Sequence, residues 1–279
     1  MALAGGRAEN INQNISLGQY FPGNSVLHRA DPRTKIVLSV IFMAVAFLAN
    51  TVVEFSVLVL FTIISVGASN VPVTTVLRAV KPILPLVIFA SVINIFMVAG
   101  TPIFRIWVIT ATYEGLYLAL SLSARITLII VGGSSIMIFT TTPINLTDGI
   151  EKLLKPLKRT KAPVHEIAMM MTIALRFIPV LIEETDKIMK AQASRGADIN
   201  EGKFFDRVRS FIPILIPLFV SAFRRAEELA NAMEARCYRG DVGRTRLKQL
   251  KFTGLDLKIL ILYVVFLFVF ASAKLRLLA

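Results

Sequence analysis

The stretch RFIPVLIEETDKIMKAQASRG, residues 176–196, opens on a Phe-Ile-Pro triplet, stays apolar for a turn, then turns charged and ends on arginine and glycine. Residues 210–240, SFIPILIPLFVSAFRRAEELANAMEARCYRG, follow the same plan, with Glu227–Glu228 standing where the first stretch has Glu183–Glu184. Phe177 and Arg195 are 18 residues apart, Phe211 and Arg236 are 25 apart, and the difference is one heptad. A heptad returns an α-helix to nearly the same face, with a drift of about 20°. The pattern predicts two related helices, the second longer by about 10 Å at 1.5 Å per residue, with Arg195 and Arg236 similarly oriented. Aligning Arg239 instead breaks the phase. Two unrelated helices of similar composition would give the same letters. Each arginine also has a plain structural use, since a cation at a helix C-terminus gains about 0.3–1 kcal/mol from the macrodipole. Gly196 suits an ordinary C-cap.

Around these helices the chain is apolar. It has 279 residues, 55% of them hydrophobic, and a mean hydropathy of +0.69. A soluble domain of this length sits near or below zero, so the balance points to a polytopic membrane protein. Hydropathic runs fall at 36–49, 52–69, 83–100, 115–139 and 258–273, several long enough to cross about 30 Å of hydrocarbon. Asn50 and Thr51 alone part the first two. Pro82 stands near the start of the third, where proline is tolerated.

Residues 145–258 differ. They hold 21 of the 31 Lys and Arg and 14 of the 18 Asp and Glu, a mixed charge that suits folded amphipathic helices. Helical patterns run over 145–157, 164–195 and 204–238, with Thr147 or Asp148 as candidate caps for the first. Four cations precede the first span and Arg78 and Lys81 lie between the second and third, whereas the loop between the first two spans has none. The positive-inside rule then puts the N-terminus and residues 144–257 in the cytoplasm. The predicted architecture is an all-α polytopic membrane protein. Residues 1–143 would supply an N-terminal segment and four transmembrane helices, 144–257 a cytoplasmic set of long amphipathic helices, and 258–279 a fifth transmembrane helix.

The net charge of +13 suits anionic lipid or an acidic partner. Nucleic acid is not indicated, because the basic residues lack aromatic interleaving or a known motif. One cysteine, Cys237, leaves no intrachain disulfide and no multi-cysteine metal site, and no metal ligand set is predicted. There is no G-x-x-x-x-G-K-[ST] phosphate loop and no Ser-His-Asp pattern, and His28 and His165 stand apart. No catalytic residue is therefore assigned. Arg125 falls inside the fourth run, where a charge is expensive unless paired or snorkelled. Glu54 and Glu114 are its candidate partners, in a structural interhelix pair or a working one. Glu183, Glu184 and Asp186 suit a solvated helix face, and Asp31-Pro32 suits a turn with basic anchors beside it.

The segments YFPGNSVLHRADPRTK (20–35), TTPINLTDGIEKLLKPL (141–157), HEIAMMMTIALRFIPVLIEETDKIMKAQASRGAD (165–198) and PLFVSAFRRAEELANAMEARCYRG (217–240) resemble the transmembrane (T) component of energy-coupling factor transporters, the EcfT/CbiQ family. The likeness covers most of the chain in order, and is nearer to the shared T component of vitamin importers than to the dedicated cobalt or nickel one. It implies a subunit in a prokaryotic plasma membrane, joined to two ABC-type ATPase subunits and one substrate-binding S component. ATP and magnesium would be held by the ATPases, with no cofactor on this chain. The family's two X-Arg-X signatures fall on Ser194-Arg195-Gly196 and Ala235-Arg236-Cys237, where Cys237 replaces a more usual small residue or glycine. The resemblance implies that both arginines enter acidic grooves on the ATPases. Methionines 169, 170, 171, 189 and 233 would offer an adaptable surface to the S component, or simply fill the core. A conventional ABC permease that binds substrate itself and a membrane-embedded enzyme are the competing readings. Copurification with ATPases would favour the coupling reading, and a chain that purifies alone and active would exclude it.

Overall fold

The computed structural model describes residues 20–106, 109–156, 163–196, 204–240, 250 and 252–278. The chain forms two compact units, residues 1–153 with 250–279 and residues 154–249.

The first unit holds three of the four helices that, among the described residues, are long and apolar enough to cross a membrane, and is called the membrane unit for that reason. It begins with a single turn, α1 (Val26–Arg29), capped by Ser25, and continues into α2 (Pro32–Leu48). Asp31 is not a free turn residue. It is the N-cap of α2, accepting from Arg33 N at 2.9 Å with Pro32 at the first helical position. Then come α3 (Val52–Ser69), a short amphipathic α4 (Val73–Val80) and α5 (Leu84–Met97). Pro82 lies between α4 and α5, whose axes meet at 55°. A two-stranded antiparallel hairpin, β1 (Pro102–Ile106) and β2 (Ile109–Thr112), was not foreseen in an all-α reading. It leads into α6 (Tyr113–Gly133), which runs on through a π-helical turn at Ser134–Ile138. After α7 (Pro143–Leu153) the chain leaves this unit, and it returns for α10 (Gly254–Leu278).

The sequence expected Thr147 or Asp148 to open α7. The helix instead begins at Pro143, with Thr142 Oγ1 accepting from Asn145 N at 3.3 Å. Thr147 lies in mid-helix and donates to the Pro143 carbonyl at 3.0 Å. Proline at the first helical position marks that start better than the later Thr-Asp pair.

Among the described residues, Val52–Ser69, Tyr113–Ile138, Val164–Ser194 and Gly254–Arg276 are long and apolar enough to cross a membrane, and the bent α4–α5 pair makes a fifth if it is one span. Two details bear on the expected spans. Helix α2, with 17 residues, is about 26 Å long, at the short end of the length that crosses a membrane. Val164–Ser194, read from its charges as wholly cytoplasmic, qualifies. The reason is that its first 18 residues carry only Glu166 and Arg176, while its other charges crowd toward its C-terminus.

The membrane unit closes around an aromatic stack. Phe61 of α3 lies against Phe266 of α10, ring centroids 4.1 Å apart, and meets Tyr263 edge-on at 4.8 Å. Phe42 of α2, fully buried, completes the cluster. Tyr263 donates its hydroxyl to the Leu38 carbonyl at 3.0 Å, so the ring is both packed and satisfied. Helix α6 reaches this stack through Gly132, where a Cβ would stand 2.3 Å from Phe42 Cε1. The Phe42 ring is wedged against Phe61 and Phe266 and has nowhere to retreat. Gly132→Ala is therefore expected to lower stability by about 1–3 kcal/mol, read as a drop in the thermal unfolding midpoint of the purified chain in detergent; an unchanged midpoint would show that α6 can shift.

Candidate functional site

The second unit holds both arginine signatures. Its helices are α8 (Val164–Ser194) and α9 (Phe204–Ala235). They are antiparallel neighbours, as three ties along their length show. Tyr238, just past α9, donates its hydroxyl to Met169 Sδ at 3.0 Å near the start of α8. Arg225 Nη2 meets Glu184 Oε2 at 3.1 Å in the middle. Gln192 Nε2 donates to the Pro213 carbonyl at 3.3 Å near the end of α8. The last tie follows from the sequence: the Pro213 carbonyl would ordinarily accept from residue 217, but Pro217 has no N–H, so the side chain of Gln192 supplies the missing donor. Glu184, expected on a solvated face, is half-buried in an interhelix ion pair. Its partner Arg225 was not singled out because nothing in the sequence aligns the two helices.

The two helices end alike. Arg195 follows the last residue of α8 and is its C-cap, and Gly196 after it takes φ +83°. Gly196 N donates to the Ala193 carbonyl at 3.0 Å. Arg236 follows the last residue of α9, and Cys237 after it takes φ 55°. There Cys237 N donates to Glu234 O at 2.8 Å and Tyr238 N to Met233 O at 3.1 Å, the two bonds of a Schellman motif. The arginines thus occupy the same cap position, with a left-handed residue next in each case. Arg239 lies beyond the cap, off the helix. Ser194, Arg195, Gly196, Ala235, Arg236 and Cys237 are all exposed, and among the described residues neither guanidinium has an acidic partner.

Antiparallel packing places the two signatures at opposite ends of the helix pair. Gln192 is level with Pro213, so about 24 residues of α9 part the two levels, on the order of 35 Å at 1.5 Å per residue. Between them runs an open apolar groove of about 250 Å³, lined by Ile173, Phe177 and Leu181 of α8 and by Ala222, Ala226, Leu229, Ala230 and Met233 of α9. The alanines at 222, 226 and 230 recur at four-residue spacing, which puts them on one face. That spacing is visible in the sequence, as the one local signal of the groove. Met170 and Met171 are exposed, and Met233 lines the groove.

Arg125 belongs to the other unit and has a different occupation. Its Nη2 donates to the Ala49 carbonyl at 2.5 Å and to Asn50 Oδ1 at 3.3 Å, and the guanidinium lies 5.9 Å from the centroid of the Phe55 ring. Tyr117 takes the Asn50 carbonyl and Lys274 the Leu48 carbonyl. Arg125 is an interhelix tie, but its partner is the C-terminal end of α2 and not a carboxylate. Glu54 is engaged with the Asn50 and Thr51 N–H groups and Glu114 with Thr101. The open carbonyls of a helix end compete well for a cation in apolar surroundings. No cluster of metal-ligating side chains occurs among the described residues.

Apolar helices long enough to cross a membrane, together with a pair of long helices each ending on an exposed arginine, define a polytopic membrane protein. Residues 23–247 match the CbiQ family, described as cobalt transport protein. The chain is 59% identical over 255 residues to the energy-coupling factor transporter transmembrane protein EcfT of Ruminiclostridium cellulolyticum, covering 91% of this chain and 95% of that one. It is 50% identical over 247 residues to the EcfT of Clostridium kluyveri (88% and 91% covered) and 47% identical over 253 residues to that of Bacillus subtilis (90% and 95%). The chain belongs to the CbiQ/EcfT family, the transmembrane components of energy-coupling factor transporters.

The left-handed residue after Arg236 is a cysteine, which carries a Cβ penalty of about 1–2 kcal/mol that glycine does not. Cys237→Gly is expected to stabilise the chain by roughly 1 kcal/mol and Cys237→Val to destabilise it, with thermal unfolding as the measurement. Equal midpoints for the two variants would mean that the cap frays.

Proposed function

We propose that this chain couples ATP hydrolysis on two ABC-type ATPase subunits to substrate release by a separate S component, in the plasma membrane of a prokaryote, and that Arg195 and Arg236 are the contacts through which the ATPases pull. The observation that carries this reading is the pair of arginines in matching positions at opposite ends of one antiparallel helix pair, each followed by a left-handed residue. Two sites some tens of ångströms apart cannot share one acidic groove, so each serves its own ATPase. A guanidinium offers a planar fork of donors to a carboxylate and keeps its charge at any relevant pH. Its C-cap position, unpaired and exposed, leaves that fork free for a partner. Nucleotide and magnesium are held by the ATPases, and this chain binds no cofactor. The positive-inside pattern supports a cytoplasmic N-terminus and a cytoplasmic placement of the arginines.

The apolar groove between α8 and α9 suits a helix of the S component. Small side chains let a second helix approach closely, and the flanking methionines adapt to more than one partner. That combination fits a shared T component serving several vitamin-binding S proteins.

Arg195→Glu and Arg236→Glu are each expected to weaken capture of the ATPases by on the order of 2–5 kcal/mol, because an acidic groove would then face a carboxylate. The measurement is copurification on a tagged T component, with uptake of tritiated riboflavin, thiamine and folate, each tested in turn with its own S component. Normal pull-down and normal uptake by both variants would sink the arginine assignment.

Filling the groove separates the two interfaces. Ala226→Trp is expected to abolish copurification of the S component while leaving the ATPases bound, since the added ring occupies the space that a docking helix needs. Retention of the S component would place its contact elsewhere.

A further inference from the structure

The chain joins the coupling unit to the membrane unit twice, leaving after Leu153 and returning at Leu250. The approaches to α7 and α10, the helices that flank this excursion, are held by the same turn of α2, through three buried charged side chains that the coupling reading does not use. Asp256 has no exposed surface. It accepts from Thr253 N and Thr253 Oγ1, both at 2.7 Å, and from Asp31 N at 2.6 Å. The start of α10 is thereby tied to the start of α2. Lys35, 2% exposed, donates to the Thr140 carbonyl at 3.0 Å and Thr141 Oγ1 at 3.1 Å, just where the π-helical turn gives way to α7. One turn further on, Gly149 of α7 lies so close to α2 that a Cβ would stand 3.0 Å from Ile36 Cδ1 and 3.1 Å from Pro32 Cβ.

We propose that Asp31, Lys35 and Asp256 form a positioning clamp that keeps both connections to the coupling unit locked to the first turn of α2, so that displacement of the coupling helices reaches α2, α6 and α10 and is not absorbed in the connecting segments. The inference rests on the coupling reading above and adds residues to it. Stability alone is a poor account of the trio, because apolar residues of similar volume usually hold helix ends together at least as well as buried charges do. Directed charged hydrogen bonds give what apolar contacts lack, a fixed geometry that does not slide. The clamp residues are remote from the arginine signatures in sequence, and substitutions there leave the ATPase contacts chemically intact.

The test uses the whole complex, with its ATPases and an S component, in vesicles of phosphatidylethanolamine and phosphatidylglycerol. Asp256→Asn puts an amide where three donors converge, and Thr141→Val removes a single bond from Lys35. Both variants are expected to retain the ATPases and to hydrolyse ATP at near the normal rate. Vitamin accumulated per ATP, for whichever of tritiated riboflavin, thiamine or folate the wild type takes up, should fall about tenfold for Asp256→Asn and about threefold for Thr141→Val, as expected for losing charged hydrogen bonds. A merely structural role would lower the amount of complex and leave uptake per ATP unchanged, and that result overturns the proposal. If Asp256→Asn does not assemble, Thr141→Val decides. Hydrogen exchange at the Asp31 and Thr253 amides supplies a readout independent of transport. A closed clamp predicts equally slow exchange with and without ATP, and faster exchange in the ATP state overturns it. Wild-type complex that takes up none of the vitamins would count against the proposed function, while the exchange measurement still judges the clamp.

Discussion

A helix that ends in apolar surroundings leaves four N–H and four C=O groups without partners, and in hydrocarbon no water comes to satisfy them. Helix α2 has partners at both of its ends, and the first unit is arranged around them. At its start, Asp31 caps the first turn while its own N–H is taken by Asp256. At its end, the carbonyls of Leu48, Ala49 and Asn50 receive Lys274, Arg125 and Tyr117. These side chains come from α6 and α10. Satisfying one short helix thus fixes two long ones beside it, and the aromatic stack of Phe42, Phe61, Tyr263 and Phe266 fills the space they enclose.

That arrangement explains why charges in an apolar unit are not by themselves signs of transport chemistry. Arg125 lies in the middle of a hydropathic run, and an intramembrane arginine is by default a functional suspect. Its contacts identify it as a helix cap supplied from outside the helix. Lys35 and Asp256 look like residues of the interface when read in line, yet both are buried. Helix ends decide where charge is tolerable in this unit, and hydropathy along the chain does not report where ends meet.

The sequence therefore made some levels legible and others not. Helix content, the long charged pair and the two arginine signatures could be read directly, because period and phase are local properties of a chain. The equivalence of Arg195 and Arg236 came from a heptad offset, and both prove to be C-caps followed by a left-handed residue. The partners of Glu184, Gln192 and Arg125 could not be read, since each lies on another helix whose register no local pattern encodes. Asp256 was legible in principle: Thr253 and Asp256 stand at capping-box spacing, Thr-x-x-Asp. The pair was overlooked because the apolar run after it drew the boundary at residue 258. The short β1–β2 hairpin lies in a stretch where β-branched residues alternate weakly, between two helices that dominate the hydropathy.

The second unit uses the same physics for the opposite end. Its proline residues break backbone ladders in α8 and α9, and Gln192 mends one of the gaps from across the pair. A helix with such gaps bends more easily than an unbroken one, while the Glu184–Arg225 pair and the Tyr238–Met169 contact hold the two helices in register. Capped ends at the two arginines thus flank ladders interrupted by Pro179, Pro213 and Pro217. On the coupling function proposed above, force would enter at these capped ends, and the apolar groove would lie along the proline-interrupted stretch between them.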